Sequence, residues 1–437
     1  MFQTLVNGFK QKDIRKKLLI IVAILLIYRI GCWIPIPGLN VGEDGILSNL
    51  SGGSFLSLLS AVSGGALANG SLLALGVVPY ISASIIMQLL TVAIPPLERL
   101  SRSGEEGRKK IALYTRIAAL VFSVIQAVAI VVALNSNGVI KNEIFGDATW
   151  LMPAIIVLVL VAGGMFTLWL GEKITDLGIG NGVSLLIFVG IVSSAGLTLL
   201  NLITGASDIS VLWDILIFVA IMLVIFAAIV FVDLSERKIP VQYAKQVKGR
   251  KMYGGQSTMI PIKVNSNGVL PIIFATALVT FPQLIFQMFW PDTAFYAWWS
   301  TYVGTGTVLY FLFNAVFIFF FSYFYSQITF NPEEVSRNLQ QSGGFIPGIR
   351  AGRPTMEYLK KINNRITFFG ASYLTILFII PTLIFSIMGL GIGAADSNTM
   401  LNAFSVTGML IVVSVALEFD KQLDAQMLMK NYRGFLK

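Results

Sequence analysis

The chain has 437 residues, 56% hydrophobic and 12% charged, with a net charge of +9. Soluble domains carry about 25% charged residues, so a water-soluble globular protein is excluded; apolar runs of about 20 residues recur along the whole length, as in one membrane domain. Zero histidines and a single cysteine, Cys32, exclude an intrachain disulfide and remove the commonest general base and zinc ligand, so no metal, no cofactor and no enzymatic activity are expected.

The first apolar run, Leu18 to Trp33, follows the basic stretch Lys10, Lys12, Arg15, Lys16 and Lys17. Pro35-Ile36-Pro37 follows it in place of a small-residue cleavage site, so the run reads as a retained first span near 18–36. Hydropathy places further spans near 71–94, 111–134, 150–170, 183–203, 211–232, 269–290, 307–328, 366–388 and 401–418. The apolar segment 54–68 is too short to cross and is broken by Gly64-Gly65 and Asn69-Gly70. Lys and Arg cluster at the N-terminus and again at 99–116, so one crossing out and one back must join them. If the first span and the 71–94 span are those two, 54–68 enters the protein from outside as a re-entrant half-helix, because irregular backbone exposed to lipid is too costly. With ten spans and both ends in the cytoplasm, 29 of the 31 Lys and Arg residues fall on the cytoplasmic side. The fold expected is therefore all-α and polytopic. Its halves, 1–203 and 204–437, each hold five spans and face opposite ways.

The span centres carry no charge. Glu172, Asp233, Glu418 and Asp420 sit at span ends and Arg29 toward the outer end of its helix, all read as interface anchors. The centres hold aliphatic residues with small or amide companions: Val77 to Ser82, Ser184 to Ile187, Ile272-Ile273, and Met409 to Ile411. Taken singly these are helix or lipid contacts. Converging, they would form a constriction that excludes water and ions while letting side chains slide through.

Gly178-Ile179-Gly180-Asn181-Gly182 follows a membrane helix and reads as a tight turn. The chain contains no GxxxxGK[ST] phosphate loop, so energy for transport must come from a partner or the membrane potential. The 234–268 loop, with Val241, Tyr243 and Val247 alternating against Gln242, Ala244 and Gln246, predicts a protruding hairpin whose basic tip is Lys248-Gly249-Arg250-Lys251. The 329–365 loop, rich in Gly and Pro around Arg350 and Arg353, predicts a second projection. Topology alone accounts for much of this charge. Long, patterned basic loops also suit an acidic or RNA-rich partner.

Ile34-Pro35-Ile36-Pro37-Gly38, Ala74 to Ser84, Gly178 to Gly182, Gly249 to Tyr253 and Phe345 to Arg350 stand in order over nearly the whole chain and resemble signature segments of the bacterial SecY family. That resemblance implies a ten-helix hourglass channel in the cytoplasmic membrane. It would pass unfolded secretory polypeptides across and release hydrophobic segments sideways into lipid. SecE-like and SecG-like small subunits are the implied membrane partners, and a ribosome with its rRNA or the motor ATPase SecA the implied drivers. By motif, Val77, Ile81, Ile187, Ile273 and Ile411 resemble the pore ring, and 54–68 the plug. Position 77 is valine where isoleucine is common. Ser82, Gln126 and Asn265 resemble polar residues of a lateral gate, where Phe281 is the candidate facing Ser82. Arg250 and Lys251 match the ribosome-docking tip, and Arg350 the arginine linked to SecA. A secondary transporter is opposed by the uncharged span centres, and a membrane enzyme by the lack of histidine and of an obvious carboxylate pair.

Overall fold

The computed structural model describes residues 2–39, 60, 63–136, 138–140, 150–205, 209–243, 246–248, 251–253, 257–265, 268–289, 293–304, 307–388 and 406–434. In chain order the helices are α1 (Phe2–Lys10), α2 (Lys12–Gly31), α3 (Val78–Ala93), α4 (Pro95–Arg102), α5 (Glu105–Ser136), α6 (Leu151–Asp176), α7 (Gly182–Gly205) and α8 (Ile209–Leu234). Strands β1 (Glu236–Tyr243), β2 (Gln246–Lys248), β3 (Lys251–Tyr253) and β4 (Ser257–Lys263) come next. Then follow α9 (Leu270–Phe289), α10 (Ala294–Tyr302), α11 (Val308–Thr329), α12 (Pro332–Gln341), β5 (Gly344–Phe345), α13 (Arg353–Met388) and α14 (Val406–Gly434).

Each of the ten expected spans overlaps one of these helices. Among the described residues, three stretches are long and apolar enough to cross a bilayer by themselves, Glu105–Asn135, Leu151–Asp176 and Val308–Gln341. A fourth exists if α3 and α4 count as one broken span, since they bend by 105°. Pro95 and Pro96 cause the break: the residue before a proline is pushed out of the helical region, and Ile94 is extended at φ −108°, ψ 110°. The span expected at 71–94 starts late, because Ser71 bridges to Pro35 and 72–77 are turns, with Gly76 at φ +53°. Pro79 then fits the first helical turn, where its missing N–H costs nothing.

Contacts group the chain into two compact units, one of Met1–Phe218, Thr280–Thr301 and Leu390–Lys437, the other of Val219–Val279 and Tyr302–Gly389. In the first, α3 packs on α5, α5 on α6, α6 on α7, and α7 on α14. Its largest described core gathers Ile36, Leu75, Ile130, Leu134, Met152 and Ile156. The irregular segment 63–77 is enclosed there and its backbone is satisfied by the first signature segment. Ile36 N donates to Gly70 O at 2.8 Å and Leu72 N to Ile34 O at 3.0 Å. Most of 54–68 lies outside the described residues; within it Ser60 is helical and 63–68 are turns.

In the second unit the two long loops expected as separate projections form one platform. β1 pairs antiparallel with β4 from Glu236↔Lys263 to Gln242↔Ser257. β5 joins the other edge of β1 through Gln242↔Phe345 and Tyr243↔Gly344. Alternate residues Ile239 and Val241 face inward onto Ile262, Leu339, Ile346 and Leu359. Each such side chain, fully buried, contributes about 1.5–3 kcal/mol. Asn331 caps α12 by accepting from Glu333 N and Glu334 N at 3.1 and 3.4 Å, with Pro332 and two acidic residues in the first turn.

Candidate functional site

Four of the five ring candidates belong to the first unit. Val77 is 3% exposed at the N-cap of α3; Ile81, one turn on, is half-buried and donates its amide to Val77 O at 3.1 Å. Ile187 on α7 and Ile411 on α14 are buried, and their helices pack together. Ile273, half-buried on α9, belongs to the second unit, next to the fully buried Ile272.

Of the gate candidates, Ser82 is half-buried and donates its hydroxyl to Val78 O at 3.2 Å, within its own helix. Gln126 on α5 is 8% exposed, and its Oε1 is buried without a partner among the described residues. Such an orphaned acceptor costs about 1–3 kcal/mol. Asn265 donates to Asp233 Oδ1 at 2.8 Å, tying the end of α8 to the turn after β4 inside the second unit. Phe281 lies in α9, with its side chain outside the described residues.

The docking candidates are differently placed. Arg250 lies outside the described residues, while Lys251 opens β3 and pairs across to Lys248. Arg350 is exposed on the loop between β5 and α13. That loop is braced from both sides: Thr355 Oγ1 donates to Arg350 O at 2.8 Å and Ser336 Oγ to Gly352 O at 2.7 Å.

The Gly178–Gly182 segment is the tight turn expected. Gly178 and Gly180 adopt φ +76° and +87°, a region where other residues are strained. Asn181 Oδ1 accepts from Val183 N at 3.0 Å and caps α7. Helices distant in sequence clamp the turn: Lys17 donates to Leu177 O at 2.7 Å, Gln422 accepts from Gly180 N at 2.6 Å, and Gln426 donates to Gly178 O. Neither glutamine carried a signal in the sequence, because the C-terminal tail reads as a generic polar helix.

Several span-end charges read as interface anchors also have specific partners. Glu172 bonds Arg116 Nε at 2.6 Å, joining α5 and α6, and Glu418 accepts from Gln422 at 3.0 Å. Arg29 Nη1 donates to Gly64 O at 2.7 Å, fixing the turn where the predicted half-helix rejoins the described chain. A Cβ at Gly64 would come within 2.8 Å of Gly190 Cα, so α7 walls the same turn. No group of His, Cys, Asp and Glu among the described residues could hold a metal.

The sequence model of the SecY family matches residues 71–419. The protein translocase subunit SecY of Mycobacterium bovis is 39% identical over 454 residues, covering the whole of both chains. Its counterparts in Streptomyces scabiei and Streptomyces coelicolor are 41% and 42% identical, again over full length. Among solved structures, a protein-conducting channel matches with TM-score 0.62 at 20% identity, covering 93% of this chain and 91% of that one. Sec61 in the canine ribosome-channel complex from the endoplasmic reticulum matches with TM-score 0.57 at 18% identity, over 93% and 91%. The helices, the enclosed 63–77 segment and these full-length likenesses lead to one statement: the chain is a mostly helical membrane protein and belongs to the SecY family.

Proposed function

We propose that this chain is the protein-conducting subunit of a bacterial translocase, a channel and not an enzyme. The observation that carries the proposal is the full-length match to translocase SecY subunits at about 40% identity. The residues supply a physical reason why such a channel stays sealed. Val77, Ile81, Ile187, Ile273 and Ile411 are aliphatic, and a ring of them would expel water yet make no specific contact with a passing chain. In this reading ten spans form two inverted halves, 1–203 and 204–437, a division by crossing parity on which contact grouping does not bear. Residues 54–68 fill the outer funnel as a plug. Ser82, Gln126, Asn265 and Phe281 line the seam through which hydrophobic segments leave. Arg250 and Lys251 meet an rRNA-bearing ribosome and Arg350 a SecA-type motor, with SecE-like and SecG-like subunits alongside. The protein resides in the cytoplasmic membrane with both termini in the cytoplasm, which positive-inside counting supports.

The test is export in proteoliposomes. The chain, reconstituted with its small subunits, a SecA-type motor and ATP, should carry a secretory precursor to a protease-protected lumen. Vesicles without the chain should not. Equal protection in both, or uptake of small solutes without precursor, would remove the proposal.

A further inference from the structure

The turn between α6 and α7 decides where α7 begins. Its shape is set from within: Thr175 Oγ1 accepts from Gly182 N at 2.9 Å and Asn181 Oδ1 from Val183 N at 3.0 Å. Its place is set from outside, by Lys17 of α2 on Leu177 O and by two half-buried glutamines of α14. These act in opposite polarity, since Gln422 Oε1 accepts from Gly180 N at 2.6 Å and Gln426 Nε2 donates to Gly178 O.

The glutamines share a face of α14 with a ring candidate. Gln422 follows Ile411 by eleven residues, within about 20° of three full helical turns, and Gln426 lies one turn further. Val415, buried, and Phe419 occupy the same stripe. A Cβ at Gly180 would stand 3.4 Å from Phe419 Cδ2 and 3.5 Å from Leu185 Cδ1, so the turn is seated between α14 and the first turn of α7. On α7, Ile187 follows Gly182 by five residues, about 7.5 Å of rise. The seam where α7 and α14 pack therefore carries ring candidates at one level and glutamine bonds at another, with apolar side chains between. Apolar contact alone fixes the register of such a seam weakly, because lipid tails replace helix contacts at little cost; hydrogen bonds supply what it lacks.

We propose that Gln422 and Gln426 are positioning residues for the channel seal, a role that rests on the channel reading above. By bonding the turn in front of α7 they set the register of α7 against α14, and with it the placing of Ile187 relative to Ile411.

The experiment uses the full-length chain with its small subunits, in nanodiscs for distances and in planar bilayers for conductance. In a Cys32→Ser background, spin labels at Val192 of α7 and Leu428 of α14, both exposed, report the register. The parent should give one narrow distance distribution. Gln422→Ala with Gln426→Ala should add a displaced population, and the unlabelled double variant should leak more ions when idle, each by about fivefold per hydrogen bond lost. Polarity separates bonding from packing. Glu418 Oε1 accepts from Gln422 Nε2 at 3.0 Å, so the exchange Glu418→Gln with Gln422→Glu keeps that pair and the acceptor for Gly180 N, and should match the parent. Gln426→Glu has the same size but no donor for Gly178 O, and should behave as the loss of one bond. An unchanged distribution in the double alanine variant, equal behaviour of the exchange and Gln426→Glu, or a displaced register without added leak would overturn the proposal. Absence of conductance through the parent with an arrested precursor would sink the channel reading instead, and the distances would still decide the register.

Discussion

Replacing Arg29 by alanine should loosen the turn around Gly64, and the structure sets the size of the effect. The guanidinium donates to Gly64 O at 2.7 Å, and its carbon lies 5.9 Å from the Trp33 ring centroid. A hydrogen bond from a charged donor contributes about 1.5–3 kcal/mol. Trp33 is 62% exposed, so the cation–π term is at the low end, about 0.5 kcal/mol. Against these stands Nη2, buried without a partner among the described residues, whose removal returns about 1 kcal/mol. The net loss is about 2 kcal/mol, or about thirtyfold in the opening equilibrium. Hydrogen exchange in nanodiscs reads this directly: Gly65 N, bonded to Ser60 O at 2.8 Å, and Ser71 N, bonded to Ala66 O at 3.0 Å, should exchange about thirtyfold faster. Leu185 N, bonded to Asn181 O on α7, should not change. Arg29→Lys, which keeps a charged donor, should show a smaller effect. Exchange at 65 and 71 within twofold of the parent would refute the reasoning, because the bond would then hold nothing. If 54–68 is the plug, the same variant should raise ion leak through the idle channel.

In a Cys32→Ser background, Ser82→Cys with Phe281→Cys should oxidise to a disulfide, which requires Cα atoms within about 7 Å, and block export until reduced. Quantitative bonding with export at full rate would remove the gate assignment. Arg350→Glu should abolish motor-driven export while leaving span insertion intact, since the loop is braced through its backbone and through Ser336 and Thr355 rather than through the arginine side chain. Reversing Arg250 and Lys251 to Glu should weaken ribosome binding measured at moderate salt. Asn363→Ala should cost about 1–3 kcal/mol in denaturant unfolding by leaving Ser326 short of a donor, and a cycle with Ser326→Ala should show coupling above about 0.5 kcal/mol.

Local pattern carried the hairpin into view in the sequence. Period-two alternation is a property of contiguous residues, and the basic tip sits where Lys248 and Lys251 pair. The addition of β5 was illegible, because a two-residue strand far along the chain has no periodicity. Hydropathy located helices well and their starts poorly. At 71–77 the residues are as apolar as a span, and only Gly76 and Pro79 marked the change to turns. Arg29 illustrates a general limit. Charge near a span end is equally compatible with snorkelling and with a backbone partner, and Gly64 is distant enough that only folding distinguishes them. The same limit applied to Gln422 and Gln426, whose partner is a turn on the other side of the chain. Motif resemblance alone carries the ring proposal, since hydropathy reads the same residues as helix or lipid contacts.

The most direct test of the channel reading asks what touches a polypeptide held in transit. Photoreactive side chains would be placed singly at 77, 81, 187, 273 and 411, and at Leu158 and Phe231, which are 69% and 75% exposed on α6 and α8. A precursor would then be arrested midway through export. The account predicts that all five ring positions label the arrested chain, and that positions 158 and 231 label lipid. Labelling of the polypeptide from 158 and 231, with none from the five, would contradict it.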